Sequence, residues 1–257
     1  MGRWTAFPHA GDFPFDAERV AREWDRLHAG DAEPLPRDPA VLRAWTLCHR
    51  GEFEAAAEAG LAAGGDGVTV ASKAMTVQAT YLEPREGASL DLLLEVAAQA
   101  ERQAREQPEN ASAWYWQAIA LGRYSQGISV AKALAQGLAG KVKAGLEKTI
   151  ALRPHHADAH IALGTFHAEV IDKVGALIGG MTYGANRDTG VRLLREGLRL
   201  HPRSPVGLLE AANGLLMLEG DAARDEAARL WEAAAATVPV DAIERLHVDR
   251  ARLELAD

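Results

Sequence analysis

Several features are scarce in this 257-residue sequence. Its one cysteine, Cys48, cannot form an internal disulfide bond, and the apolar run AWTLCHR around it favours a buried core thiol. Aromatic residues make up only 6% of the chain, and long runs of Val, Ile and Thr are missing, which leaves little material for β-strands. No apolar run reaches the roughly 18 residues that a membrane-spanning helix needs, and the start lacks the pattern of a signal peptide. We therefore expect a cytoplasmic protein with no membrane span.

Alanine, leucine and other helix-favouring residues dominate what is present. Hydrophobic residues make up 48% of the chain and charged residues 25%, which is typical of a globular protein. These features predict an all-α fold. The formal net charge of -8 argues against a nucleic-acid partner, because such binding relies on clustered Lys and Arg. The whole-chain charge favours neutral or basic partners.

Prolines recur through the second half of the chain, and each follows a segment with the pattern of an amphipathic helix. Before the last of them, the segment EAARLWEAAAATVPVD combines small residues, one large residue and a final proline. Small residues allow two helices to approach closely, a large residue fills the remaining gap, and proline ends a helix. The prolines are Pro108, Pro154, Pro202 and Pro239.

The segment after each of the first three prolines begins a second pattern. These segments read ASAWYWQAIALG, ADAHIALGTFHAE and PVGLLEAANGLL, and they approximate the spacing W-x2-L-G-x2-Y. Together with the proline-terminated helices, they resemble the tetratricopeptide repeat (TPR) family. The resemblance implies a right-handed α-solenoid of antiparallel helix pairs.

The stretch PHHADAHIALGTFHAE, residues 154–169, contains four histidines and raises the question of a metal site. His156 and His160 are one helical turn apart, a spacing that allows both to reach one ion. In the repeat pattern, however, His160 takes the place of the family's tryptophan and His167 that of its tyrosine. Because no cysteine pair is nearby, the H-E-x-x-H motif is missing and the sequence places no third ligand, we favour packing roles and expect no metal site.

The first half of the chain fits the repeat pattern less closely, but its organisation can still be read. We expect a single helical repeat domain over residues 1–257, which opens with an N-terminal segment and capping helix (1–30) and a proline-containing linker (31–38). Degenerate repeats (39–107) precede TPR-like repeats with insertions (108–239), and a C-terminal capping helix (240–257) follows. Predicted helices include 16–28, 39–50, 70–81 and 89–107.

Two repeats are longer than the 34 residues of a regular TPR. The intervals of 46 and 48 residues between successive prolines leave about 12 and 14 extra residues between the paired helices. The inserted segments, SQGISVAKALAQ and IDKVGALIGGMTYG, are apolar, so we expect them to be buried. In particular, we expect the second segment to be part of the core and to meet Tyr115 or Ile161.

Residues 114–255, including these insertions, resemble the TPR group that contains the regulators of microtubule dynamics. More loosely, they resemble the T component of tripartite transporters with periplasmic binding proteins. The resemblance implies a non-enzymatic adaptor or scaffold for protein binding. Two alternatives stay open: a carrier of a small apolar ligand in a pocket lined by the insertions, and an auxiliary component of a transport system.

TPR proteins bind partners on the concave wall formed by the first helix of each pair. The repeat register predicts a largely apolar wall here, with the second insertion beside it. An apolar helix or extended segment of a protein is the favoured guest, unless the insertions fill the groove. The candidate binding residues are Tyr115, Ile119, Ile161, Thr165, Leu209, Asn213, Leu177 and Tyr183.

Motifs for catalysis or cofactor binding do not emerge. The glycine-rich segment GLAGKVKAG differs from a phosphate-binding loop, because Ala135 replaces its first glycine and Val142 replaces the hydroxyl that would hold magnesium. No G-x-S-x-G motif occurs, and Cys48 lacks the context of a nucleophile. We therefore expect no enzyme activity, no catalytic residues and no cofactor.

Overall fold

The computed structural model describes residues 4–256, and every helix is connected to the next by a turn or a short irregular segment. Residues 1–3 of the predicted N-terminal segment and residue 257 of the predicted capping helix lie outside this range. No β-strand occurs in the described part, which confirms the all-α prediction. The helices are α1 (Ala17–Arg22), α2 (Trp24–Leu27), α3 (Pro39–Arg50), α4 (Phe53–Ala63), α5 (Gly67–Val77), α6 (Glu86–Glu106), α7 (Ala111–Gln126), α8 (Val130–Ala135), α9 (Leu138–Leu152), α10 (Ala157–Val174), α11 (Ala176–Tyr183), α12 (Arg187–Leu200), α13 (Pro205–Glu219), α14 (Arg224–Ala236) and α15 (Ala242–Ala256).

The chain divides into two compact units. The first unit contains residues 1–28, 33–148 and 240–243, and the second contains residues 29–32, 149–239 and 244–257. TPR-like helix pairs occur in both units. The prediction of a single repeat domain over the whole chain stays a prediction. None of the described helices combines the length and apolar composition needed to cross a bilayer.

In the first unit, α3 and α4 form a helix pair whose ends follow from local sequence. The Asp38 carboxylate accepts a hydrogen bond from the Ala40 N–H at the start of α3, and Pro39 occupies the first turn, where no N–H is needed. Gly51 ends the helix with a left-handed φ of +84°, and Phe7 packs against it so closely that a side chain would not fit. The predicted range 39–50 coincides with α3.

The next pair, α5 and α6, departs from regular repeats at two places. A π-helical turn, Gln78–Leu82, extends α5, and α6 begins after it at Glu86. Gln103 of α6 occupies a position that usually holds a small residue. It is accommodated because its amide nitrogen donates to the Gly65 carbonyl at 2.9 Å and to the Thr69 hydroxyl at 3.1 Å.

Helices α10 and α12 form the best-packed pair of the second unit. Gly164 of α10 lies so close to Leu194 that an added Cβ would be 2.7 Å from the leucine Cγ. Leu194 is fully buried and belongs to a core cluster with Ile161 of α10 and Leu215 of α13. A second cluster joins α13, α14 and α15 through Leu208, Leu209, Ala234 and Ala251. The small-residue positions of the repeat pattern are thus the points where helices approach most closely.

The two inserted segments form short helices, α8 in the first unit and α11 in the second. Our prediction that they are buried is wrong for five of their apolar side chains: Val130 and Leu134 of α8 are 49% and 45% exposed, and Leu177, Ile178 and Met181 of α11 are 76%, 58% and 82% exposed. Only Gly179 of α11 is buried, against Val170 of α10. An eight-residue helix that packs through one glycine leaves its other side in water.

Candidate functional site

His160 takes the same place in its repeat as Trp114 takes in the preceding one. In the preceding repeat, the indole nitrogen of Trp114 donates to the carbonyl of Pro108, six residues earlier, at 3.0 Å. The Nε2 atom of His160 lies 3.0 Å from the carbonyl of Pro154, also six residues earlier. Because only a protonated ring nitrogen can donate to this carbonyl, Nε2 carries the hydrogen. The two side chains therefore make the same contact at equivalent positions.

His167 and His156 also use ring nitrogens within the fold. The Nδ1 atom of His167 accepts from the Asn186 N–H at 3.2 Å, and that of His156 caps α10 by accepting from the Ala159 N–H at 3.1 Å. Among residues 4–256, no three His, Cys, Asp or Glu side chains are grouped as metal ligands would be. The histidine-rich stretch is explained by helix packing and capping.

The predicted wall residues differ widely in their exposure. Tyr115, Ile161 and Leu209 are each less than a tenth exposed, so a docking partner cannot contact much of them. Ile119, Thr165, Asn213 and Tyr183 are partly exposed, and Leu177 is largely exposed. Ile161 packs on Gly197 of α12, and the expected contact of the second insertion with Tyr115 or Ile161 stays a prediction. The binding role of the partly exposed residues stays a prediction.

Asn213 is held by two neighbours in the second unit. Its side-chain oxygen accepts from the indole nitrogen of Trp231 at 3.1 Å, and its nitrogen lies 3.5 Å from the Glu254 carboxylate. These contacts use both ends of the amide. Asn213 is therefore poorly placed to bind the carboxylate of a peptide.

The exposed side of α11 is the most apolar surface element of the second unit. Leu177, Ile178 and Met181 lie within about one helical turn, and the helix contains no charged residue from Ala176 to Tyr183. Gly184 ends α11 in a left-handed conformation with φ +64°. Clustered large apolar side chains of this kind are uncommon on soluble surfaces unless they contact something. We call these three side chains the α11 face.

A pocket of about 460 Å³ lies in the first unit, at the N-terminal segment. Its walls include Trp4, Phe13, Arg50, Glu58 and Gln78. In the amide orientation that satisfies both groups, Gln78 makes two 3.2 Å hydrogen bonds to the backbone of Thr5 and so holds this segment. None of the pocket residues comes from either insertion. The pocket therefore does not correspond to the ligand site that the insertions were expected to line.

Sequence reasoning missed a buried polar cluster in the first unit. The Nδ1 atom of His49 lies 2.7 Å from the Asp241 carboxylate, and its Nε2 atom lies 3.3 Å from Nε2 of His28. All three residues are at most 4% exposed. Trp24 stacks on His28 with ring centres 4.0 Å apart, and Trp45 stacks on His49 at 5.7 Å.

The direction of these hydrogen bonds follows from the carboxylate. Because a carboxylate can only accept, Nδ1 of His49 donates to Asp241, and in the neutral ring Nε2 is then an acceptor for His28. The cluster has no solvent-facing member, so it serves to fix residues 240–243 rather than to meet a ligand.

One histidine of the second unit has a shifted pKa. Burial lowers the pKa of His201, because desolvation disfavours the charged ring; the nearby Asp31 carboxylate opposes this shift and the Arg203 guanidinium adds to it. The neutral form of His201 is thus favoured in the folded protein.

Comparisons with known proteins support the fold and leave the protein's role open. No protein-family profile matches the chain, and no curated protein matches it either. Among solved structures, a thermophilic TPR protein of Thermus thermophilus is similar, with a TM-score of 0.57 at 17% identity over 83% of this chain and 97% of that chain. The fold is therefore TPR-like. This similarity concerns the fold alone, and the narrower resemblance to microtubule regulators or transporter T components is not confirmed.

Proposed function

We propose that this protein is a non-enzymatic adaptor that binds another protein through its TPR-like helical array. The observation that carries the proposal is the α11 face. Leu177, Ile178 and Met181 leave most of their surface in water, although burying such side chains contributes roughly 1.5 to 3 kcal/mol each. A partner that covers them gains part of this contribution, less the entropy that association costs.

The repeat architecture explains how such a surface is presented. Gly164 and Leu194 close the α10–α12 pair, so the segment between these helices can project without weakening their contact. The absence of charge along α11 favours an apolar helix or extended segment as the guest. The partly exposed Ile119 and Thr165 remain candidate contacts, each within its own unit.

The carrier hypothesis has weaker support. It required a pocket lined by the inserted segments, whereas the α11 face is open to water. An auxiliary role in transport rests on the sequence resemblance alone. The adaptor hypothesis needs only an exposed surface, which this chain has.

Site-specific photo-crosslinking tests the proposal. Met181 and Val238 are both 82% exposed, so a benzoylphenylalanine at either position is equally accessible to a partner protein. In extracts of the source cells, we expect a discrete protein adduct from position 181 and none from position 238. Leu177→Asp should abolish the adduct, because a charge at the centre of an apolar contact must be desolvated.

Leu253→Asp is the matched control, since Leu253 is 64% exposed on α15. Both variants should remain folded by circular dichroism. The proposal fails if position 181 gives no adduct beyond that from position 238. An adduct of twice the chain's own mass would also overturn it, because the α11 face would then bind a second copy of the chain.

A further inference from the structure

The pocket at the N-terminal segment of the first unit combines aromatic rings with carboxylates. Its volume of about 460 Å³ falls within the range of small-molecule sites, roughly 300 to 1,000 Å³. A sphere of this volume is about 10 Å across, so one small molecule can contact several walls at once. We call this cavity the N-terminal pocket. The aromatic and acidic residues that line it are Trp4, Phe7, Phe13, Phe53, Glu52, Glu54 and Glu58.

Contacts within the first unit fix the wall that the N-terminal segment forms. Phe7 packs edge-on against Phe53, with ring centres 6.1 Å apart, and Gln78 holds the backbone of Thr5. Phe13, like Trp4, lines the pocket and keeps part of its surface accessible. A site whose walls are already ordered binds its ligand without the cost of ordering them.

Two carboxylates of the N-terminal pocket have no cationic partner in the described chain. Glu54 and Glu58 are four residues apart on α4, so their Cβ atoms are about 5 to 6 Å apart on one side of the helix, where like charges repel. Within residues 4–256, no Lys, Arg or His nitrogen lies within 4.0 Å of either carboxylate. Glu52, by contrast, pairs with Arg50 at 2.7 Å. The pocket residues therefore carry two uncompensated negative charges.

We propose that the N-terminal pocket binds an aliphatic diamine or polyamine. One ammonium group donates hydrogen bonds to Glu54 and Glu58, because an ammonium has three N–H donors and a carboxylate can only accept. The hydrocarbon chain of the amine packs against Trp4 and Phe13, whose rings also attract a cation through their π faces. The second ammonium group balances the second negative charge.

Two other cations fit the N-terminal pocket less well. Mg²⁺ and Ca²⁺ require six or more oxygen ligands, which aromatic walls do not provide. Among residues 4–256, no three His, Cys, Asp or Glu side chains are grouped to hold a metal ion. A lysine side chain of a partner protein has the same ammonium group, but it carries a single charge and would balance only one of the two carboxylates.

Isothermal titration calorimetry of the full chain with 1,5-diaminopentane tests the proposal. We expect saturable binding at one site per chain. The neutral analogue pentane-1,5-diol should not bind, because it cannot balance the charge of the pocket. The bis(trimethylammonium) analogue keeps both charges but has no N–H donor, so it should bind at least tenfold more weakly. Magnesium chloride should give no saturable binding.

Variants of the pocket test which groups hold the diamine. Glu54→Gln/Glu58→Gln keeps the shape of both side chains but removes their charge, so it should weaken binding at least tenfold. Trp4→Leu should weaken binding severalfold, because it removes a π face. The matched control, Asp91→Asn/Glu95→Gln, removes two charges at the same spacing on α6 of the first unit, outside the pocket. One residue of each pair is exposed and the other is partly buried.

The control should change the affinity less than twofold, and circular dichroism should show that every variant is folded. An equal loss in both double variants would refute the proposal, because it would reflect general attraction to an acidic chain. Equal affinity for the bis(trimethylammonium) analogue or for Mg²⁺ would refute it as well. A short peptide with two lysines that binds more tightly than the diamine, and loses affinity in Glu54→Gln/Glu58→Gln, would assign the pocket to a protein ligand and overturn the proposal.

This inference does not depend on the α11 face. Leu177→Asp should leave the affinity for 1,5-diaminopentane unchanged, whereas Glu54→Gln/Glu58→Gln should leave the crosslink from position 181 unchanged. Failure of the pocket can thus be distinguished from failure of the α11 face.

Discussion

Removal of the Asp241 carboxylate should destabilise the first unit substantially. Asp241→Ala deletes the acceptor 2.7 Å from Nδ1 of His49, and the ring has 0% exposure and so cannot turn to water instead. A hydrogen bond to a charged group contributes about 1.5 to 3 kcal/mol, and leaving a buried polar group without its partner costs about 1 to 3. We therefore expect the free energy of unfolding to fall by about 2 to 4 kcal/mol. Asp241→Asn, which retains an acceptor oxygen, should cost about half as much.

Urea unfolding followed by tryptophan fluorescence measures this effect, because Trp24 and Trp45 stack on the cluster. Glu101→Ala is the matched control, since it removes an exposed pair with Arg105 whose contribution should be below about 0.5 kcal/mol. If Asp241→Ala unfolds at the same urea concentration as Glu101→Ala, the cluster does not hold residues 240–243 and our reasoning is wrong.

Other positions give further predictions. His160→Phe should preserve the fold, whereas His160→Ala should lower the free energy of unfolding by about 2 to 4 kcal/mol in chemical denaturation, through the cavity left behind. Gly164→Val should cost more than about 2 kcal/mol in the same assay, because its Cβ would overlap Leu194. His201 has a lowered folded-state pKa, so the unfolded state binds more protons below the unperturbed pKa of about 6.5. The contribution of His201 to the free energy of unfolding is therefore complete above pH 6.5 and declines as the pH falls. His201→Asn should make the melting temperature depend less on pH between 7.5 and 5, as measured by thermal unfolding.

Local signals made much of the fold predictable. Asp38 caps the start of α3, Pro39 occupies its first turn, and Gly51 ends it in a left-handed conformation. Each of these signals acts on a few neighbouring residues, so the bounds of α3 can be read from the sequence. Repeat register also placed His160 correctly, since its hydrogen bond copies that of Trp114.

The exposure of the insertions could not be predicted from their composition. Apolar residues such as Leu177 indicate that a surface is covered, but they do not tell whether this chain or a partner covers it. In the structure α11 is a separate eight-residue helix in which Gly179 is the buried residue, so most of its apolar surface faces water. Helix length inside an insertion has no strong sequence signal.

The Asp241–His49 contact was missed for a different reason. Its two residues are 192 positions apart, so no periodicity links them. His49 follows Trp45 by one helical turn, which marks it as a core position, and a buried histidine requires partners. This reasoning could have flagged His49 but could not have named Asp241.

A final prediction separates the role of α11 from the stability of the repeat that carries it. Residues 175–184 are replaced by a Gly/Ser segment of equal length, so that loop-closure entropy between α10 and α12 changes little. The principal packing lost is that of Gly179 on Val170, while Gly164 still packs on Leu194, so we expect a loss below about 1.5 kcal/mol in urea unfolding. The same variant should lose the partner that position 181 captures in the native sequence, as seen by its failure to compete with that crosslink. A stability loss above about 3 kcal/mol would show that α11 belongs to the core of the second unit, and unimpaired competition would show that the partner binds elsewhere.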